Sequence, residues 1–300
     1  MMAYNTLAMT RHLLGEYKQA LKDNQLGLVL AERYHAWRIL GFQHVSRSMI
    51  ELSLGYVAAA IQHANLALEI GQHYQFPDTI SFGYCILGDV FAMLRAPAQA
   101  IRYYQLGFES NSDGFWKVDS QLRLGHALAQ FSQVEIGLSH IQRAISQAEL
   151  AHMGLTATAG QIRLATVKLI QRDREIAIPI LTKMHAETQR RGLRTWNLGV
   201  RMMQGIFDLQ AENLLAALQT FEKISDEAAS ISQPWIEIHA LEKIIEIQTI
   251  LDRPAKSHRQ RLADLLRQIQ ISMPQEAVEE TTVALREAFH CYQQRISPRP

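Results

Sequence analysis

The sequence predicts an all-α solenoid, a row of short helical hairpins stacked side by side. Equivalent small residues recur at a fixed step, Gly15 being matched by Gly55, and Ala20 by Ala60 and then Ala100, forty residues apart each time. Within a recurrence the apolar residues fall at helical steps. In LGDVFAMLRAPAQAIRYYQLG, residues 87–107, Leu87, Gly88 and Phe91 are followed by Ala100, Tyr104 and Gly107, placing small residues where two helix backbones approach and large ones beside them. No stretch carries the alternating Val/Ile/Thr-rich pattern of a strand.

Residues 1–14 form the first helix, with Tyr4, Leu7, Ala8 and Arg11 in the order that Tyr84, Leu87, Gly88 and Phe91 take later; a Gly15-Glu16-Tyr17 turn leads into a partner helix carrying Ala20, Leu21, Asn24 and Gly27. The second unit, 42–76, has Leu54-Gly55 at its turn and Ala60, Ala64 and Ala67 on one face. The third, 78–111, opens its second helix with Pro97, where a missing N–H costs nothing. The fourth, 117–152, repeats Leu124-Gly125, Leu128, Gly137, Ile141 and Ala144 with a shorter loop. In the fifth, 156–191, Ile178 stands at the small-residue position and Pro179 lies near the first turn of the second helix. The sixth, 195–230, carries Gly205, Ala217, Phe221 and Ile224, with Asp208 where an aromatic is expected. A seventh pair covers 234–251 and 255–271, and a last helix over 275–295, rich in Glu and Arg, supplies the polar cap that a solenoid end requires. The domain expectation is one solenoid over 1–296 and a flexible tail at 297–300.

Composition narrows the function classes. The chain has 300 residues, 48% of them hydrophobic, 20% charged, and a net charge of +1, so no basic or acidic excess points to nucleic acid or anionic lipid. Cys85 and Cys291 lie far apart without a partner motif, which argues against a disulfide framework and for a reducing, cytoplasmic setting. The N-terminus has no charged leader followed by an apolar run, and no window approaches 18 uninterrupted apolar residues, so no membrane segment is expected.

Helix pairs with Leu-Gly, a following aromatic, then Ala, Tyr and Gly at these spacings resemble the tetratricopeptide repeat (TPR) family over residues 1–230 and, more weakly, beyond. The resemblance implies a right-handed TPR superhelix of about seven hairpins with a C-terminal capping helix. The step of forty exceeds the usual 34 of that family. Lengthened repeats with turns such as EIGQHYQFPDTISF resemble the C-terminal arms of bacterial STAND-type signalling ATPases and regulators. That likeness, and a first repeat that starts at residue 1 with its apolar side uncovered, give the expectation of a fragment of a larger signalling protein, or of an N-terminal end that pairs as a homodimer.

Signatures of catalysis are missing from the sequence. There is no GxxxxGK[ST] phosphate loop, and Gly199 and Gly205 lie within a helix. Twelve histidines include no HExxH, and His290 and Cys291 are adjacent, so they diverge on a helix. Glu279-Glu280 and Asp226-Glu227 diverge by about 100° and share no substrate. The basic clusters Arg190-Arg191-Arg194 and Lys256-His258-Arg259-Arg261 are short and read as a loop and a solvated face. No enzyme, cofactor or metal is expected.

In TPR proteins the first helix of each unit lines the concave groove. Carried onto this chain, the resemblance names Asn5, Met9 and His12; Met49, with Val45 and Ser53; Cys85, Asp89 and Met93; His126 and Gln130, with Leu122; Arg163 and Gln171, with Val167; and Gln210, with Met202 and Ile206. This mixture of amide and apolar groups suits an extended peptide or a partner helix, and does not suit a charged ligand. The family's Lys/Asn carboxylate clamp is not reproduced, Asn5, Arg123 and Arg163 being isolated elements. The expectation is a non-catalytic protein- or peptide-binding scaffold, a sensor arm in signalling, with a peptide-switched regulator as the alternative.

Overall fold

A computed structural model describes residues 1–111, 114–131, 133–273 and 280–296. Among them are fifteen helices and no strand. The hairpins are α1 (Met2–Leu13) with α2 (Tyr17–Arg33), α3 (Trp37–Ser53) with α4 (Val57–Tyr74), α5 (Pro77–Met93) with α6 (Pro97–Glu109), and α7 (Gly114–Phe131) with α8 (Val134–Leu150). They continue as α9 (Gly154–Ile170) with α10 (Arg174–Arg190), α11 (Arg194–Gln210) with α12 (Leu214–Ser230), and α13 (Pro234–Ile250) with α14 (Lys256–Ile271), followed by α15 (Glu280–Ile296). The all-helical solenoid predicted from the sequence is the observed one. The predicted start of the last helix at 275–279 and the tail 297–300 lie outside the described residues.

Helix termination sets the period. A residue with left-handed φ stands at 15, 35, 55, 75 and 95, and again at 152, 172, 192, 212, 232 and 252, twenty residues apart within each run. The next residue sends its N–H back five positions, as in Ala36 to the Ala31 carbonyl (2.9 Å), Ala96 to Phe91 (2.9 Å) and Gln233 to Ala228 (2.9 Å). This Schellman closure satisfies carbonyls that a helix end otherwise leaves bare. Apart from α7 and α15, the helix N-termini make no side-chain cap hydrogen bond; α5, α6 and α13 instead begin with Pro77, Pro97 and Pro234. The run is interrupted once, where the shorter α6 and the segment that follows it bring the fourth hairpin in early.

Small residues set the distance between paired helices. Ala20, Ala60, Ala100, Ala177 and Ala217 are fully buried at equivalent positions, and Gly137 takes that place in α8. The small residue of the fifth unit is therefore Ala177. Ile178, expected there, is 39% exposed; Ala177, forty residues after Gly137, is the buried small residue, and Ile178 is its neighbour on the outward side of the helix. Opposite these positions, Gly88 lies under the Tyr104 ring and Gly205 under Phe221, where a Cβ would sit 2.6 Å and 2.8 Å from ring carbons. Odd-numbered helices pack on one another in succession, α1 on α3 on α5 and onward to α13, and so form the inner layer, with the even-numbered helices outside.

The superhelix closes on itself. Tyr17, at the start of α2, accepts a hydrogen bond from Gln233 Nε2 (2.7 Å) and donates to Thr195 Oγ1 (2.8 Å). Trp235 Nε1 donates to the Leu52 carbonyl (2.8 Å), Ser272 Oγ donates to the Gly55 carbonyl (2.6 Å), and the Ala58 N–H donates to the Ser272 carbonyl (2.8 Å). Arg95, in the α5–α6 turn, pairs with Glu242 (2.6 Å) and lies over the Tyr292 ring of α15. One apolar cluster accordingly joins residues of α1–α7 to residues of α11–α15 across this seam. Glycine occupies the left-handed position where the two layers come closest: a Cβ on Gly55 would meet Pro234 Cγ at 3.0 Å, and one on Gly15 would meet Ile231 at 3.4 Å. The turn of the α1–α2 hairpin is thus covered by the chain's own later hairpins.

Two measurements check this packing. Gly137→Ala installs the residue that five other hairpins carry, yet its Cβ would stand 2.4 Å from the Ala129 nitrogen and 2.5 Å from the Gly125 carbonyl. Chemical denaturation should show a loss of about 1–3 kcal/mol despite the better helix propensity of Ala; an unchanged midpoint would refute the close approach of α7 and α8. Trp235→Phe removes the donor to Leu52 and should cost about 1–3 kcal/mol, with a larger radius of gyration by small-angle scattering if the seam loosens.

Candidate functional site

Two concavities compete as the site. One, a cleft of about 780 Å³, runs along the seam between Tyr17, Leu54 and Gly55 on one side and Pro234, Glu237 and Arg261 on the other. Its main charges are already matched, since Arg261 donates to both oxygens of the buried Glu237 (2.6 and 3.1 Å). The cluster expected to be a solvated face is therefore tied to the seam through Arg261. Arg194 also lines this cleft, beside Glu227 at 3.6 Å.

The second concavity is the inner face of the odd-numbered helices, and there the charge is unevenly satisfied. Asp119 and Arg123 sit four residues apart on α7, with Arg123 Nε 2.7 Å from Asp119. The same guanidinium crosses to α5 and pairs with Asp89. Asp89 also accepts the Tyr104 hydroxyl (2.7 Å), which reaches it over Gly88. Burial pushes the Asp119 carboxyl up, but Arg123 and Arg163 outweigh that effect and hold it below its ordinary value. On α9, Arg163 lies within electrostatic range of Arg123, Asp119, Asp89 and Tyr104, and has no hydrogen bond or ion pair to any described residue. Desolvation first, and then Arg123, lower its pKa. His126, one turn along α7 from Arg123, is pushed down to about 3 by burial and by Arg163, and its Nε2 is enclosed without a partner.

The sequence-predicted groove residues fall into groups. Asp89, Met93, His126, Gln130 and Arg163 are half-buried on the consecutive inner helices α5, α7 and α9. Asn5, Met9 and Met49 are half-buried on α1 and α3, Asn5 accepting from Ser46 Oγ (2.5 Å). Cys85 does not line the groove: it is fully buried with its sulfur against Gly107, because the close approach of α6 seals that face, and burial pushes its thiol up. Gln171 is exposed as the C-cap of α9, and Gln210 ends α11 with its amide directed to the Leu169 carbonyl (3.4 Å), so both sit at hairpin turns. His12 is buried, its Nε2 2.8 Å from Ser53 Oγ. That contact lacks the makings of a nucleophile: both residues are enclosed, burial holds His12 at about 4, and its Nδ1 has no orienting partner. Of the further groove positions, Val45, Leu122, Val167 and Met202 are buried core residues.

Sequence reasoning missed Asp119 and Tyr104. The i, i+4 spacing of Asp119 and Arg123 was a usable signal; the path of Tyr104 over Gly88 was not.

No family profile matches the chain, and no curated protein does. Solved structures do match. Among them is the crystal structure of a Rap protein complexed with Competence and Sporulation Factor, which superposes with a TM-score of 0.61 over 99% of this chain and 86% of that one. The fold is a TPR-like helical repeat. At 13% identity the likeness speaks to the fold alone. Among the described residues no helix is long and apolar enough to cross a membrane, and no group of three or more His, Cys, Asp or Glu side chains is placed to hold a metal ion.

The ionic network gives a pH test. Arg123→Met leaves Asp89 and Asp119 without their shared partner, at a cost of about 3–5 kcal/mol at neutral pH. Unpaired and desolvated carboxyls acquire a folded-state pKa above the unfolded value, so their penalty is full at high pH and is relieved as pH falls through the raised value. In the wild type the depressed Asp119 stabilises the fold above its unfolded pKa and loses that contribution only as pH falls below it. Denaturation at pH 7 and pH 5 should therefore show the gap between variant and wild type narrowing at pH 5; a constant gap would exclude the network as drawn.

Proposed function

We propose that the chain is a non-catalytic scaffold that takes an extended peptide, or a segment of a partner protein, against the inner face of α5, α7 and α9. It would serve as the interaction arm of a bacterial signalling system, acting in the cytoplasm. The observation that carries this reading is the character of that face: thioether and amide groups from Met93 and Gln130 remain half-exposed beside an ionic network that joins the successive inner helices α5 and α7. Thioethers adapt to varied apolar side chains, and amides hydrogen-bond an extended backbone. The fold likeness to a Rap protein solved with a bound factor supports the same reading.

A conformational regulator is the second reading, favoured by the seam. The polar contacts at Tyr17, Leu52 and Gly55 join the two ends of the arc, so a ligand that binds better to one pitch of the superhelix would shift the seam between closed and open.

Selection of a random peptide library on the immobilised protein, followed by calorimetry, tests the scaffold. Selected peptides should bind Met93→Ala and Gln130→Ala about 5-fold or more weakly, at about 1 kcal/mol each, while the circular dichroism of the variants stays native. Failure to enrich any peptide, or equal binding to both variants, overturns the reading. Scattering with and without a selected peptide separates the rigid scaffold from the regulator.

A further inference from the structure

We infer that a cavity between α7 and α8, away from the inner face, binds a primary carboxamide, carried by free glutamine or asparagine or by such a side chain on a partner protein. The inference is independent of the peptide-binding reading.

The cavity, of about 300 Å³, opens where α8 packs on α7 beside the end of α6, and is lined by Gln121 from α7 and by Glu135, Ile136, Ser139, His140 and Arg143 from α8. Its volume is at the lower end of the range for small-molecule sites, about 300–1,000 Å³. Gln121 is only 3% exposed, yet its amide makes no hydrogen bond to any described residue. The other buried glutamines are all bonded: Gln43 accepts from Asn24 Nδ2 (3.0 Å), Gln233 donates to Tyr17 (2.7 Å), and Gln248 Oε1 lies 3.1 Å from His258 Nδ1. An amide withdrawn from water without a partner costs stability. Here the amide lines the cavity, and neither of its polar atoms is sealed from it.

The repeat shows what is missing. Gln121 and His140 stand at the positions that Tyr84 and Tyr103 take 37 residues earlier, and that His44 and His63 take forty before those. His44 and His63 meet Nδ1 to Nδ1 at 2.9 Å, and the Tyr84 and Tyr103 rings lie 6.4 Å apart. In the fourth hairpin no hydrogen bond joins the pair, and the His140 ring meets Phe108 of α6 edge to face instead (5.8 Å). Burial, then Arg143, push the His140 pKa down, so this wall of the cavity is uncharged at neutral pH.

The amide selects its ligand. It offers N–H donors beside a carbonyl acceptor, and a second primary carboxamide matches both with two parallel N–H···O bonds. A carboxylate brings no donor for Gln121 Oε1 and leaves it unpaired. Glu135 and Arg143 add one charge of each sign, neither in an ion pair with a described residue, which favours a ligand without net charge. The same two charges complement the ammonium and carboxylate of a free amino acid.

Titration of the full chain with L-glutamine, L-asparagine and L-glutamate, followed by ligand-observed NMR, tests the inference. At least one of the two amides should bind about 10-fold or more tightly than glutamate. Gln121→Leu should reduce that amide to the level of glutamate while melting at or above the wild-type temperature, since an apolar side chain of similar size replaces an unpaired amide. Binding of neither amide, equal binding of amides and glutamate, or undiminished binding to Gln121→Leu overturns the inference. A fall in Tm of more than about 4 °C in Gln121→Leu would mark the amide as a structural partner and overturns it too. N-acetyl-L-glutamine N-methylamide, which lacks both charged ends, separates the two sources. Binding equal to that of free glutamine, unaffected by Arg143→Ala, assigns the cavity to a partner's side chain; binding about 10-fold weaker, with Arg143→Ala weakening free glutamine alone, assigns it to the free amino acid.

Discussion

The left-handed residue that ends eleven of the described helices is the constraint on which the rest depends. At eight positions it is not glycine, as at His35, Arg95 and Asp252, and each such residue bears a conformational cost of about 1–2 kcal/mol. What offsets it is the pair of backbone bonds formed on reversal, together with burial of the next helix. Because the same closure recurs after nearly the same number of residues, successive helices leave their turns at similar angles. The inner helices then lie side by side closely enough for Arg123 on α7 to reach Asp89 on α5.

The seam and the inner face are linked through α5. Its turn holds Arg95, paired with Glu242 of α13, and its body holds Asp89, paired with Arg123 of α7. On the proposed reading, a ligand on the inner face would press on a helix whose end is fastened to the last part of the chain, and occupancy and superhelical closure would then influence each other.

The architecture was largely legible from sequence because its determinants are local. Leu-Gly pairs, buried alanines and the prolines that open α5, α6 and α13 act within one hairpin, and repetition raises a loose signal above chance. Registration failed in the fifth unit, where a run of apolar residues around Ala177 let Ile178 stand in for it. The candidate site was less legible. Asp89 and Arg163 were found from the repeat pattern, but whether such a residue faces the groove or the partner helix depends on helix separation. That is why Cys85 vanished beneath Gly107, and why Gln171 and Gln210 fell at the turns. The seam left no trace in the sequence, since it joins residues such as Trp235 and Leu52, 183 positions apart.

Closure also fixes the number of hairpins. In an open solenoid each repeat touches only its neighbours, and one more unit merely lengthens the row. Here α1 meets α11, and the turn at Gly55 meets the start of α13, so four hairpins lie between partners. Duplicating or deleting a hairpin in the arc from α7 to α10 would slide every later partner past its mate, placing Trp235 and Ser272 opposite the wrong turns. An extra unit after α15 would disturb none of these pairs. The internal arc is therefore closed to the growth and shrinkage by which repeat arrays ordinarily vary.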